Sequence, residues 1–168
     1  ITFLIYSAFI SASFTTCKPS PDTLFKLLPS DKTGIEFANT IFESDSFNIF
    51  DYDYIYNGGG VAIADFNNDG LIDVYLTSNI QQNKLFLNKG NLTFQDVTAV
   101  TGAGGRNGPW KTGVSVADVN GDRRLDIFVC YSGMVKDENR VNQLFINQGN
   151  NDENVPTFKE SSAAYGLT

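Results

Sequence analysis

The sequence has no histidine. That absence removes His-based catalytic triads, imidazole-ligated zinc and the commonest general base at neutral pH. Basic residues are few: 12 Lys and Arg stand against 19 Asp and Glu, for a formal net charge of −7. Nucleic acid needs clustered Lys and Arg on one face, so this balance speaks against it and leaves room for cations. Charged residues make up only 18% of the chain, against 42% hydrophobic and 13% aromatic. That composition packs a core rather than a disordered tail, and 168 residues suffice for one ordinary domain.

Cysteine is nearly absent too, and the two present do not read as a pair. Cys130 lies in the apolar run LDIFVCYSG, where a free Cys behaves as a small hydrophobe. Cys17 closes the uncharged stretch ITFLIYSAFISASFTTC, just before KPSPD. This stretch is short for a membrane span, which takes about 20 apolar residues, and residues 1–17 read as the apolar region of a signal peptide. Cys17 at its end resembles the lipid-bearing cysteine of a bacterial lipoprotein signal, although Phe14, Thr15 and Thr16 depart from the usual small residues. Ordinary secretion with cleavage near Ser13 is one alternative and a true membrane anchor or chance the other; the first two readings export the protein to the cell envelope or surface. Residues 18–34, with Pro19, Pro21 and Pro29, read as a linker. In residues 35–57, Phe50, Tyr52, Tyr54 and Tyr56 alternate with Asp51 and Asp53, which predicts a leading strand.

The remainder is written twice. Residues 58–105 and 106–168 each carry the same five pieces in order: an alternating run (VAIADF, VSVADV), an acidic loop, a second run (DVYLTS, DIFVCY), a third (NKLFLNKG, NQLFINQG), and TFQDVT or TFKESS. The runs are short, rich in Val, Ile, Phe and Tyr, and bounded by Gly, Asn and Asp, which predicts strands. Four strands per repeat make one β-propeller blade, and a blade buries its faces only by stacking on neighbours. The expected fold is therefore all-β, an incomplete propeller with two legible four-stranded blades at the front of a longer protein. The extra length of the second copy, at MVKDENR and NNDENVP, falls between runs.

The acidic loops carry the chemistry. Counted from the first Asp, positions 1, 3, 5, 7 and 9 are Asp65, Asn67, Asp69, Leu71 and Asp73 in one copy. In the other they are Asp118, Asn120, Asp122, Arg124 and Asp126. Alternate residues of a tight loop aim oxygens at one centre, with the side chains at 1, 3, 5 and 9 and the backbone carbonyl at 7 (Leu71, Arg124) as candidate ligands. Such an oxygen-only set suits Ca²⁺ and not zinc or copper. Metal-free Asx turns are the competing reading. An EF-hand is not, because Leu76 and Val129 stand where its acidic twelfth residue belongs. Arg123 replaces Gly70 at position 6, which is expected to strain the second loop and to weaken a cation site there.

These residues resemble the FG-GAP/VCBS repeat, the calcium-loop blade of integrin-α-type propellers. YIYNGGGVAIADFNNDG, WKTGVSVADVNGD and QLFINQG are nearer still to the exported VCBS-repeat proteins of Bacteroidetes, a group with relatives of cartilage acidic protein that often carry an ASPIC/UnbV domain. The resemblance covers about residues 35–168. It implies a seven-bladed ring with Ca²⁺ in loops on one rim, at the positions named above. No ASPIC/UnbV segment lies within the sequence.

The expected function is a calcium-stabilised extracellular scaffold that binds a protein or glycan, with the membrane reached only through Cys17. Two other readings stand beside it: a structural spacer without a ligand, and the non-catalytic part of a larger extracellular enzyme. No catalytic residue is expected, since carboxylates committed to a metal are poor proton donors. Asn91-Leu92-Thr93 is a glycosylation sequon read as a turn entering a strand, and Trp110 is read as a packing residue at a blade edge. Gly58-Gly59-Gly60 lacks the helix and Lys of a P-loop.

Overall fold

The computed structural model describes residues 24–167 apart from Pro109 and Met134, so the signal peptide expected at residues 1–17, with Cys17, lies outside the described residues. It is a pair of stacked antiparallel sheets, each of four strands in sequence order. The first comprises β1 (Val61–Ala64), β2 (Asp73–Leu76), β3 (Lys84–Asn88) and β4 (Phe94–Asp96). The second comprises β5 (Lys111–Ala117), β6 (Asp126–Tyr131), β7 (Gln143–Asn150) and β8 (Pro156–Glu160). Two such sheets, each a four-strand meander, are consecutive blades of a partial β-propeller, as the doubled sequence predicts. Both inserted segments lie between strands, the first including a short 3-10 turn (Asp137–Asn139).

The strands form where they do because apolar and small residues alternate. In β1, Ala62 and Ala64 are buried while Val61 and Ile63 point outward. Ala62, Ala64, Phe66, Tyr75, Leu85 and Leu87 of the first blade pack on Ile127, Val129, Tyr131 and Phe145 of the second, forming one core across the joint. Polar ties close the same joint: Thr77 Oγ1 donates to the Thr112 carbonyl (2.8 Å) and Asn79 Nδ2 to the Lys111 carbonyl (2.7 Å). Gly59 and Gly60 are explained here. A Cβ at Gly59 would lie 1.9 Å from the Thr77 carbonyl oxygen, and one at Gly60 2.8 Å from the Val114 amide nitrogen. Close backbone approach, rather than an unusual φ, is what demands glycine.

The leading strand expected in residues 35–57 is not there. Asp51 and Tyr52 N–H both donate to the Asn48 carbonyl, Ile55 N–H to Tyr52 and Asn57 N–H to Tyr54, so the segment is a run of turns. Asn48 Oδ1 accepts the Phe50 N–H, the local bonding by which Asn and Asp favour turns over strands. The aromatic alternation therefore misled: Phe50 is 94% exposed, while Ile55, off the pattern, is fully buried. Phe47 and Tyr52 instead pack edge-on against Trp110, each 5.4 Å between ring centroids, and bury it at the start of the second blade. The linker region holds one helical turn, α1 (Ser30–Thr33), among mostly exposed residues. At the sequon, Asn91 and Leu92 both adopt positive φ (54° and 58°) in the turn between β3 and β4.

Candidate metal centre

Each acidic loop is the β1–β2 or β5–β6 connection, so the two lie at equivalent places on their blades. In the first, Asp65 accepts the N–H groups of Asp69 (3.1 Å, Oδ1) and Gly70 (2.8 Å, Oδ2). Asn67 Oδ1 accepts the Asp69 N–H, and Asp69 Oδ1 accepts the Leu71 N–H. Each side chain thus folds onto an amide two to five residues on, the Asx-turn chemistry that tightens such loops. The second loop repeats this: Asp118 accepts from Gly121, Asp122 and Arg123, Asn120 from Asp122, and Asp122 from Arg124. Amide donors, that of Arg123 foremost, hold the Asp118 carboxyl below the usual carboxylate range.

Position 9 differs from the others. Asp73 is fully buried; its Oδ2 accepts the Phe66 N–H and its Oδ1 the Asn88 N–H, both at 2.9 Å. Asp126 does the same with Val119 N–H (2.9 Å) and Asn147 N–H (2.8 Å). These carboxylates clamp the head of the loop to the third strand of the blade. Burial pushes the Asp73 carboxyl up to about 6, with a further contribution from the charges of Asp69 and Asp65, against the pull of its two amide donors.

A raised carboxyl pKa has a definite sign. Between its ordinary value of 3.8 and about 6, Asp73 holds its proton in the folded chain and loses it in the unfolded one, so its contribution to stability falls as pH rises through this window. Metal-free protein melted in chelator should therefore be more stable at pH 5 than at pH 7 from this group, by about 1 kcal/mol. Asp118 does not oppose it there, because a depressed carboxyl loses its contribution only below the ordinary carboxylate range.

The donor set of the first loop fits a hard divalent cation: only oxygens are offered, Asp69 is exposed and Asp65 half-buried, and both sit near enough for their charges to push the Asp73 carboxyl up. Among the described residues, however, no three acidic side chains converge on one point. They are turned onto the loop amides, with Asn67 Nδ2 donating to Asp69 Oδ2 (3.0 Å). The second loop fits less well. Arg124, expected only for its carbonyl, places its guanidinium 2.6 Å from Asp122 Oδ2 and donates to the Asn147 carbonyl, so a fixed cation already stands at that ligand. Arg123 carries φ of +67° where Gly70 carries +87°. A non-glycine residue pays about 1 kcal/mol in that region, so Arg123→Gly should stabilise the protein by about 1 kcal/mol in chemical denaturation.

Sequence reading missed the residues that join the first loop to the second blade. Asn147 Nδ2 donates to the Phe66 carbonyl (2.9 Å), Asn150 Nδ2 to the Asn67 carbonyl (2.8 Å), and Asn67 Nδ2 to the Asn154 carbonyl (3.1 Å). Asn150 and Asn154 belong to the insertion NNDENVP, which reads as loop tolerance and in fact braces the neighbouring loop.

Residues 65–129 match the family model described as FG-GAP-like repeat. The match opens on Asp65 of the first loop and closes on Val129 in β6, so it takes in both acidic loops. No curated protein matches the chain.

Proposed function

We propose that the chain is a calcium-stabilised part of an exported, lipid-anchored β-propeller scaffold that presents its loops to an extracellular protein or glycan. The observation that carries the calcium reading is the doubled loop, with Asp, Asn and Asp at positions 1, 3 and 5 at equivalent places on adjacent blades. In the first loop, Asp65, Asn67 and Asp69 would offer their side-chain oxygens to the cation and Leu71 its carbonyl, with Asp73, the expected ligand at position 9, held beside them by its two amide donors. Because Asn147 and Asn150 hold the carbonyls of this loop, a cation that fixes it also stiffens the joint between blades. The scaffold role, the anchor at Cys17 and the extracellular partner rest on the repeat and on the signal-like stretch that precedes it.

A specific observation favours a different role for the second loop: the Arg124 guanidinium at Asp122 replaces part of the charge a metal would supply. The test is calorimetric titration of Ca²⁺ into the protein, with Asp65→Ala and Asp118→Ala beside it. One strong site, lost in Asp65→Ala and retained in Asp118→Ala, is the expected result. A site of about 0.1 mM, ordinary for extracellular modules, should stabilise the fold by about 1–2 kcal/mol at 1 mM Ca²⁺. No binding heat and an unchanged melting temperature would leave the loops as metal-free turns.

A further inference from the structure

Asn-Gly and Asp-Gly steps are where a polypeptide can modify itself, because glycine has no side chain to keep its backbone nitrogen away from the carbonyl carbon of the preceding side chain. The sequence holds four such steps: Asn57-Gly58, Asp69-Gly70, Asn107-Gly108 and Asn120-Gly121. Ring closure needs the glycine N–H free. Gly70 N–H instead donates to Asp65 Oδ2 (2.8 Å), Gly108 N–H to the Ile80 carbonyl (2.7 Å) and Gly121 N–H to Asp118 Oδ1 (2.7 Å). Two side chains are held as well. Asp69 Oδ1 accepts the Leu71 N–H, and Asn120 bonds both the backbone amide and the carboxylate of Asp122.

Asn57-Gly58 differs on both counts. Neither the Gly58 N–H nor the Asn57 side-chain amide has a partner among the described residues. Both residues are exposed, and a Cβ built on Gly58 meets nothing within 4 Å. The chain is fixed on either side of them. Ile55 is fully buried and Asn57 N–H donates to the Tyr54 carbonyl (3.0 Å), while the Gly60 carbonyl accepts the Thr77 N–H (2.9 Å) where Gly59 and Gly60 press against Thr77 and Val114. The pair is a short free span between two anchored points.

We propose that Asn57-Gly58 is a self-modification site, at which the folded chain converts Asn57 through a succinimide to an aspartyl or isoaspartyl residue while the other Asx-Gly steps stay intact. The Gly58 nitrogen gives its proton to solvent and bonds to Asn57 Cγ, and the side-chain nitrogen leaves as ammonia. Water then opens the ring, and no other reactant is needed. Breaking the new bond from Cγ to nitrogen gives the aspartyl product with the backbone path unchanged. Breaking the original bond from the Asn57 backbone carbonyl carbon to the Gly58 nitrogen gives the isoaspartyl product, whose longer path runs through Cγ. Both products add a negative charge. Only the isoaspartyl form must fit extra backbone between Ile55 and the close approach at Gly59, so only that form strains the joint between the blades.

Peptide mass mapping of the full chain during incubation at mildly alkaline pH tests this, native and unfolded in urea. In the native chain Asn57 should convert at close to its rate in urea, while Asn107 and Asn120 should convert at least about fivefold more slowly than they do in urea, since their glycine N–H bonds must open first. Gly58→Ala should slow conversion at position 57 and leave the melting temperature unchanged, because the added Cβ enters open space. The isoaspartyl form, isolated from aged protein, should melt below fresh protein, and Asn57→Asp, which matches the other product, should melt with it. Conversion at Asn107 or Asn120 that keeps pace with Asn57 in the native chain overturns the proposal, as does an Asn57 that converts only in urea. An isoaspartyl form as stable as fresh protein overturns the strain at the joint.

Discussion

Replacing Asp73 with alanine should cost about 2–5 kcal/mol of folding stability in calcium-free buffer, far more than replacing Asp65. The figure follows from what the carboxylate satisfies: two backbone N–H groups, of Phe66 and Asn88, at a fully buried position. Each buried donor left without a partner costs about 1–3 kcal/mol, and Ala offers no acceptor. Part of that loss is offset, because removing the side chain also removes a buried charge whose pKa burial has pushed up to about 6. Asp126→Ala should behave alike, having the same pair of amide donors from Val119 and Asn147. Asp65 stands in a loop that water reaches, so Asp65→Ala should cost at most about 1 kcal/mol in chelator, while removing calcium binding. Urea denaturation of the three variants with and without calcium separates the roles. Equal losses for Asp65→Ala and Asp73→Ala in chelator would show that position 9 is an ordinary member of the loop and not the clamp of the blade.

That contrast marks the limit of what the sequence discloses. Blades, strand order and loop positions were legible because each depends on local pattern: period-2 alternation, Asn and Gly at the turns, and a motif written twice in register. Asp65 and Asp73 are the same letter, and nothing in the string says that one faces water while the other begins β2 and is sealed under the third strand. The alternation of Phe50, Tyr52, Tyr54 and Tyr56 carried a genuine strand signal, but Asn48 captured the local backbone first and Trp110, almost sixty residues away along the chain, supplied the surface that Phe47 and Tyr52 pack against. Arg124 was legible as a departure but not as an internal cation, since only the folded loop shows its guanidinium beside Asp122. For Asp73 and the aromatic run, what pattern could not show was a partner distant in sequence, and for Arg124 it was the conformation of the loop itself.

Asn147 is the strongest instance, and its removal is the second large effect. Asn147→Ala should destabilise the protein by about 2–4 kcal/mol: the side chain is fully buried, donates to Phe66 and Leu125, and accepts the Gly149 N–H at 2.9 Å. Loss of the amide strands the Phe66 carbonyl inside the joint, where no other donor is recorded for it among the described residues, and leaves a void the size of the side chain. Asn88→Ala removes only the bond to the Ile72 carbonyl and that to the Gly90 N–H, at a half-buried position, and should cost about 1 kcal/mol. The consequence reaches the first loop. Asp65, Asn67 and Asp69 keep their identities in Asn147→Ala, yet the carbonyl of Phe66, between Asp65 and Asn67, is no longer held by the second blade. Calcium titration of that variant should show one site with unchanged stoichiometry and weaker affinity, because ordering the loop then falls to the cation alone. An affinity equal to wild type would confine Asn147 to packing and separate the blade joint from the loop it borders.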